Sequence, residues 1–188
     1  MTTGRVRYAM NVSLDGFVAD AAGGLDWGLI DDELHQWFND RARTLAGSLY
    51  GRRLYEVMTA YWPTGEDDPQ STDVMREFAR IWNATPRFVF STTLEGVEHN
   101  SRLVRGDVRE VLAEVRRELD GDLEVGGPDL ASQFLRHGLV DDVELVVHPV
   151  VLGGGLRFWP SLEAPLAYRL QEVKRFASGV VALSYARR

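Results

Sequence analysis

Val6, Tyr8, Met10 and Val12 interleave with Arg7, Ala9 and Asn11, a period of two that predicts a first strand. "SLDG" (13–16) breaks the strand and "FVA" (17–19) continues it briefly. Beyond the loop "DAAGGLDWG" (20–28) the period lengthens. Leu34, Trp37, Phe38, Ala42 and Leu45 recur at helical spacing and predict a helix over 31–46. "SLYG" (48–51) reads as a short buried strand that runs into a helix at 52–59, and "YWPTGEDDPQST" (61–72) as a polar surface loop. A helix over 73–83, the strand "RFVFS" (87–91) and a helix over 107–119 with Val108, Val111, Leu112, Val115 and Leu119 inward come next. Leu123 and Val125 flank Glu124 in strand alternation, two glycines follow, and Leu130, Ala131, Phe134 and Leu135 return to helical spacing until Gly138. The strand "DVELVVHPVVL" (142–152) leads to a closing hairpin, "LAYRLQEV" (166–173) and "VVALSYA" (180–186) around "ASG" (177–179). Strands separated by helices predict one α/β domain with a mainly parallel sheet, and the hairpin adds antiparallel strands at one edge.

Composition narrows the function classes. A chain of 188 residues suits one domain with a substantial core. No apolar run approaches the ~18 residues that cross a membrane, and the first strand lacks the apolar core of a signal peptide. With no cysteine there is no disulfide framework or thiolate metal site, and the cytoplasm is the expected compartment. A formal charge of −7 argues against nucleic acid as a partner. Lys174 is the only lysine, so a P-loop is excluded. No histidine lies four residues from another, no serine sits in a Gly-x-Ser-x-Gly elbow, and the glycines at 153–155 lack the third glycine of the dinucleotide fingerprint. The acidic runs "DDE" (31–33) and "EDD" (66–68) read as solvated charge.

What remains is a set of glycine-bearing junctions. Gly126 and Gly127 leave the next helix N-terminus bare, and Pro128 suits its first position because the N–H it lacks is unpaired there. Such a turn can admit a phosphate to backbone N–H groups, or it can be only a tight connection needing positive φ. "SLDG", "YGRRLYE" (50–56) and "FSTT" (90–93) are further junctions where strands end, and strand C-termini of an open α/β sheet face one crevice. Arg52 and the hydroxyls of Ser91 and Thr92 suit a phosphate or a ribose there.

In order, "YAMNVSLDGFVA" (8–19), "LYGRRLYE" (49–56), "FVFSTTL" (88–94), "LEVGGPDLASQFL" (123–135) and "LVDDVELVVHPVVLGGG" (139–155), with Phe158, resemble the dihydrofolate reductase fold. They are most similar to the reductase domain of the bifunctional riboflavin-biosynthesis deaminase-reductase and its stand-alone relatives, over roughly residues 5–187. The resemblance implies NADPH as cofactor. Gly126 and Gly127 are then expected at the pyrophosphate, Arg52 and Ser91 at the adenosine 2′-phosphate, and Ala9, Val18 and Ala19 at the nicotinamide. Gly51, Arg53, Thr92, Pro128 and Leu130 complete the expected cofactor-binding set. Three positions depart from the pattern. Leu54 replaces a threonine of the glycine-arginine junction, Asp129 puts a carboxylate beside the pyrophosphate, and the helix acid of true dihydrofolate reductases falls on Leu34 or, one residue away, Glu33.

The acceptor pocket is expected between the first loop and the 31–46 helix, with Trp27, Leu34 and Phe38 as walls, although aromatic residues there also suit a core. Asp15 is the expected catalytic group, or else a turn-forming aspartate. The resulting expectation is an NADPH-dependent reductase passing a hydride to a pterin-like, riboflavin-precursor-like or carbonyl acceptor. An NADPH-binding protein without turnover, a true dihydrofolate reductase and a plain dimerisation domain are the alternatives. The apolar run at 143–151 suggests a homodimer.

Overall fold

A computed structural model describes residues 4–188. The chain order is β1 (Val6–Ser13), β2 (Phe17–Ala19), α1 (Asp32–Ala42), β3 (Leu45–Gly51), α2 (Arg52–Thr59), α3 (Asp73–Ala84), β4 (Arg87–Phe90) and β5 (Ser101–Val104). It continues with α4 (Val108–Glu118), β6 (Asp122–Gly126), α5 (Pro128–Arg136), β7 (Asp142–His148), β8 (Leu156–Arg157), β9 (Tyr168–Arg175) and β10 (Val181–Arg187). The main sheet runs β5-β4-β3-β6-β1-β7-β10-β9. Neighbours from β5 to β7 are parallel, and β10 is antiparallel to both β7 and β9. The domain is therefore α/β, with the parallel sheet and antiparallel closing hairpin that the periodicity predicts.

Alternation along the interior strands divides the molecule into two layers. Val6, Tyr8, Leu49, Leu123 and Val125 point to one face, where α4 and α5 cover them with Val111, Leu112, Val115, Phe134 and Leu135. Each such side chain, fully buried, contributes about 1.5–3 kcal/mol. The opposite face carries Ser48, Tyr50, Glu124, Gly126, Ala9 and Glu144, which border a cavity on the side of α1, α2 and α3. Small and polar residues on that face leave room that large aliphatic ones would fill.

Several elements differ from the sequence expectation. Helix α1 ends at Ala42 rather than 46, with Arg43 as its C-cap, and Leu45 opens β3 instead. Strand β5 is an additional short edge strand, too brief for its periodicity to stand out. Strand β7 stops at His148 because Pro149 has no N–H for the ladder. The 61–72 segment is more than a surface loop. Ser71 is buried, its Oγ donates to the Gly65 carbonyl at 2.6 Å, and Trp62 lines the cavity. Within the run at 143–151, β7 lies between β1 and β10, while Val151 beyond its end is exposed. The exposed apolar side chains of the hairpin are Leu170 and Val173 on the edge strand β9.

Candidate active site

Strands β3 and β6 are adjacent and parallel, with Tyr50 opposite Gly126, so α2 and α5 begin side by side at one sheet edge. From there β3 leads away to β4, whereas β6 leads across β1 to β7. That divergence is the switch point where open α/β sheets hold ligands. Both helices are capped by glycine, Gly51 and Gly127, and neither N-terminus receives a side-chain cap. Their first N–H groups are thus left for something other than this chain's side chains. Gly127 has φ 86° and ψ 128°, a backbone region that side chains resist, and Pro128 takes the start of α5. A Cβ on Gly51 would lie 3.6 Å from Leu130 Cβ, so the two helix starts approach closely.

The remaining expected cofactor residues border this edge. Arg52 is exposed and pairs loosely with Glu56 at 3.7 Å, a contact weak enough to exchange for a ligand. Arg53 instead donates to the Gly23 carbonyl at 3.3 Å, tying the loop after β2 to α2. Ser91 Oγ accepts from the N–H groups of Thr93 (3.2 Å) and Leu94 (3.0 Å), which shapes the turn after β4, and Thr92 is exposed there. Leu54, the departure from the family pattern, packs over Gly126, where an added Cβ would strike its Cδ2. Asp129 is exposed.

Beside the bare helix starts lies a cleft of about 340 Å³. Ala9, Val18, Trp27, Phe38 and Gly126, all singled out in the sequence, line it. Trp62, Phe78, His35 and Met58 add walls that periodicity did not mark. Ala19 is buried in β2 against the 153–155 turn, where a Cβ on Gly155 would collide with the Ala19 carbonyl. Leu34 is fully buried in the cluster with Trp37, Val146 and Phe176 and does not line the cleft. Glu33 accepts from the Ala177 N–H at 3.1 Å. Among the described residues, α1 therefore turns no carboxylate to the cleft.

Asp15 takes up the turn role that the sequence left open beside a catalytic one. Its carboxylate accepts from Ser13 Oγ (2.7 Å), Leu152 N–H (3.1 Å) and Gly153 N–H (2.7 Å), stapling the β1–β2 turn to the loop after β7. Those bonds, that from Ser13 first, lower its pKa from 3.8 to about 2, so it holds no proton at neutral pH. A group depressed in the folded state stabilises it above the unfolded pKa, and that stability fades as pH falls through the folded value. Asp15→Ala is accordingly expected to melt below wild type at neutral pH, with the gap closing between about pH 4 and pH 2. Thermal melts across that range check it, and equal melting temperatures at neutral pH would contradict it.

Glu124, which the sequence reading passed over, borders the cleft together with His35, Arg41, Arg87 and Glu144. Register sets Ser48, Glu124 and Arg7 in one row across β3, β6 and β1. Glu144, on β7 beside Ala9, is buried and bonded to Arg41 and to Ser184 Oγ (2.6 Å). Glu124 receives no hydrogen bond from the described residues. Burial first, then the Glu144 charge, push its pKa up to about 7 against the pull of Arg7 and Arg41. Trp27 Nε1 and Arg41 Nε, on residues that line the cleft, are buried without partners. A carboxylate inside a strand covered on both faces was the available signal.

The site is a cleft walled by aromatic residues, with an ionisable floor and an anion-ready rim. Comparison with known proteins assigns it a family. The RibD C-terminal domain model matches residues 5–182, and the chain belongs to that family. It is 28% identical to YyaP of Bacillus subtilis over 182 residues, 96% of this chain and 94% of that one. Its fold matches a Shewanella sp. PV-4 protein assigned to riboflavin biosynthesis, with a TM-score of 0.80 at 22% identity, covering 98% of this chain and 99% of that one. It also matches the Thermotoga maritima diaminohydroxyphosphoribosylaminopyrimidine deaminase/5-amino-6-(5-phosphoribosylamino)uracil reductase (TM-score 0.68, 21% identity, 99% of this chain and 57% of that one). Dihydrofolate reductase from Enterococcus faecalis, complexed with NADP(H), matches with a TM-score of 0.67 at 14% identity, covering 99% of this chain and 98% of that one.

Proposed function

We propose that this chain is an NADPH-dependent reductase that acts on a small heterocyclic or carbonyl acceptor of the pterin or riboflavin-precursor kind. The observation that carries this reading is the pair of uncapped, glycine-started helices side by side at the rim of the aromatic cleft. Two bare N-termini suit the two phosphates of a dinucleotide, because oriented N–H groups and both helix dipoles favour anions there. Gly51, Gly126, Gly127, Pro128 and Leu130 form that cradle, while Arg52, Ser91 and Thr92 lie towards the adenosine end. Ala9 and Val18 border the nicotinamide end, where the cofactor supplies a hydride, with Ala19 behind them in β2.

The acceptor lies between the nicotinamide end and α1, flanked by Trp27 and Phe38. Folate itself is the weaker candidate, because Leu34 is core and Glu33 is bonded to Ala177 outside the cleft. Oxidation of NADPH, followed by absorbance with a panel of pterins, flavin precursors and small carbonyl compounds, tests the reading. At least one acceptor is expected to drive oxidation. Tight NADPH binding with no acceptor-dependent oxidation would mark a binding protein without turnover instead.

A further inference from the structure

We propose that Glu124 is the catalytic acid of this cleft, holding a proton on its carboxyl and delivering it to the acceptor's heteroatom. This rests on the reductase reading above. Three observations lead to it. Glu124 borders the cleft from the floor, on the same strand face and two residues before Gly126, so it sits one pleat from the phosphate cradle. Its carboxyl takes no hydrogen bond from the described residues, in contrast to Glu144, which Arg41 and Ser184 satisfy. The two acids that the sequence singled out near the first loop and α1 are committed elsewhere, Asp15 to the 152–153 turn and Glu33 to Ala177.

The surroundings favour a carboxyl that can hold and release a proton near neutrality. Arg7 on β1 and Arg41 on α1 attract the charged form, but neither forms an ion pair with Glu124. Arg41 is engaged by Glu144, and Arg7 Nη1 is buried without a partner. Glu144 on β7 repels a second negative charge, and Tyr50 on β3 is neutral because burial pushes its hydroxyl up to about 12. Arg87 on β4 spends its donors on carbonyls. With burial dominant, the carboxyl's pKa lies near the operating pH, which suits a general acid.

In the step itself, the O–H bond of Glu124 breaks and a bond forms between that proton and the acceptor's nitrogen or oxygen. The electron pair enters the acceptor as the hydride that reduced nicotinamide supplies. The carboxylate left behind regains its proton from water, so each turnover consumes one solvent proton. Removing the acid should cost about 10²–10⁴-fold in rate, the usual range for general acid catalysis.

The test compares wild type with Glu124→Gln, which keeps the shape but not the titration, and with Glu124→Asp, which keeps a carboxyl. Carbon NMR of protein labelled at the glutamate side-chain carboxyl, with no ligand present, should show one carboxyl titrating near neutral pH in wild type. That titration should be absent from Glu124→Gln. NADPH titration should give the same affinity for all three proteins. With the active member of the acceptor panel, Glu124→Gln should turn over about 10²–10⁴-fold more slowly, without the near-neutral limb of the pH profile, and Glu124→Asp should recover part of the rate. A wild type with no near-neutral carboxyl titration would overturn the assignment. So would a Glu124→Gln protein that keeps wild-type rate and pH profile. If no member of the acceptor panel drives NADPH oxidation by wild type, the reductase reading fails instead, and the NMR titration still decides whether Glu124 carries the proton.

Discussion

Replacing Gly127 with valine is expected to abolish NADPH binding and to lower the melting temperature of the same protein. The sequence left two readings of the glycine pair, a phosphate cradle or a strained turn; the backbone carries the strain, and the cradle is what this variant tests. Gly127 has φ 86°, a conformation that a β-branched residue adopts only under strain of about 1–3 kcal/mol. For a chain of this length each kcal/mol moves the melting temperature by about 2–4 °C, so a shift of several degrees is expected. Space does not forbid the fold, because a Cβ at this position would meet only Leu54 Cβ, at 3.6 Å. The protein should therefore remain folded at room temperature, where calorimetry can compare its NADPH affinity with wild type. Lost affinity in a folded variant indicates that side-chain bulk blocks the anion. Wild-type affinity with a lowered melt would reduce the glycines to a turn.

Arg87→Ala is expected to be the most destabilising of these changes, by roughly 3 kcal/mol or more. Arg87 is 1% exposed and sits over the Trp82 ring, 3.6 Å from its centroid. Its guanidinium donates to the carbonyls of Trp82, Thr85 and His99, and to Ser101 Oγ at 3.2 Å. No carboxylate pairs with it among the described residues, so these carbonyls and the ring face are what offset its desolvation. Truncation leaves three carbonyls without that donor and opens a cavity where α3, β4 and the turn before β5 meet. Denaturant unfolding measures the loss. A midpoint within experimental error of wild type would show that water replaces the guanidinium at no cost.

The strands and helices with long, regular periods were legible in the sequence, because one face of each packs on a continuous core. Helix α5 is the clearest case, with Leu130, Ala131, Phe134 and Leu135 all buried and Gly127 and Pro128 marking its start. Boundaries set by capping were harder to read, as at α1, where Leu45 continues the helical spacing yet belongs to β3. The edge where α2 and α5 begin was readable because glycines at strand ends carry a backbone meaning of their own. The ionisable floor was not. Glu124, Glu144 and Arg7 become neighbours only through the order β6-β1-β7 and its register, which no local period encodes. Asp15 shows the converse case. A conspicuous aspartate in a glycine turn is consumed by the Leu152 and Gly153 N–H groups, far along the chain.

Calorimetric titration of the wild-type protein with NADPH and NADH tests whether NADPH is held at the two glycine-started helices. Arg52 and the Ser91–Thr92 hydroxyls can give a 2′-phosphate a charge-assisted bond, worth about 1.5–3 kcal/mol. Saturable binding of one NADPH per chain is expected, tighter than NADH by roughly that amount. Equal dissociation constants would remove the 2′-phosphate assignment, and no binding of either nucleotide would rule out a dinucleotide site at these helices.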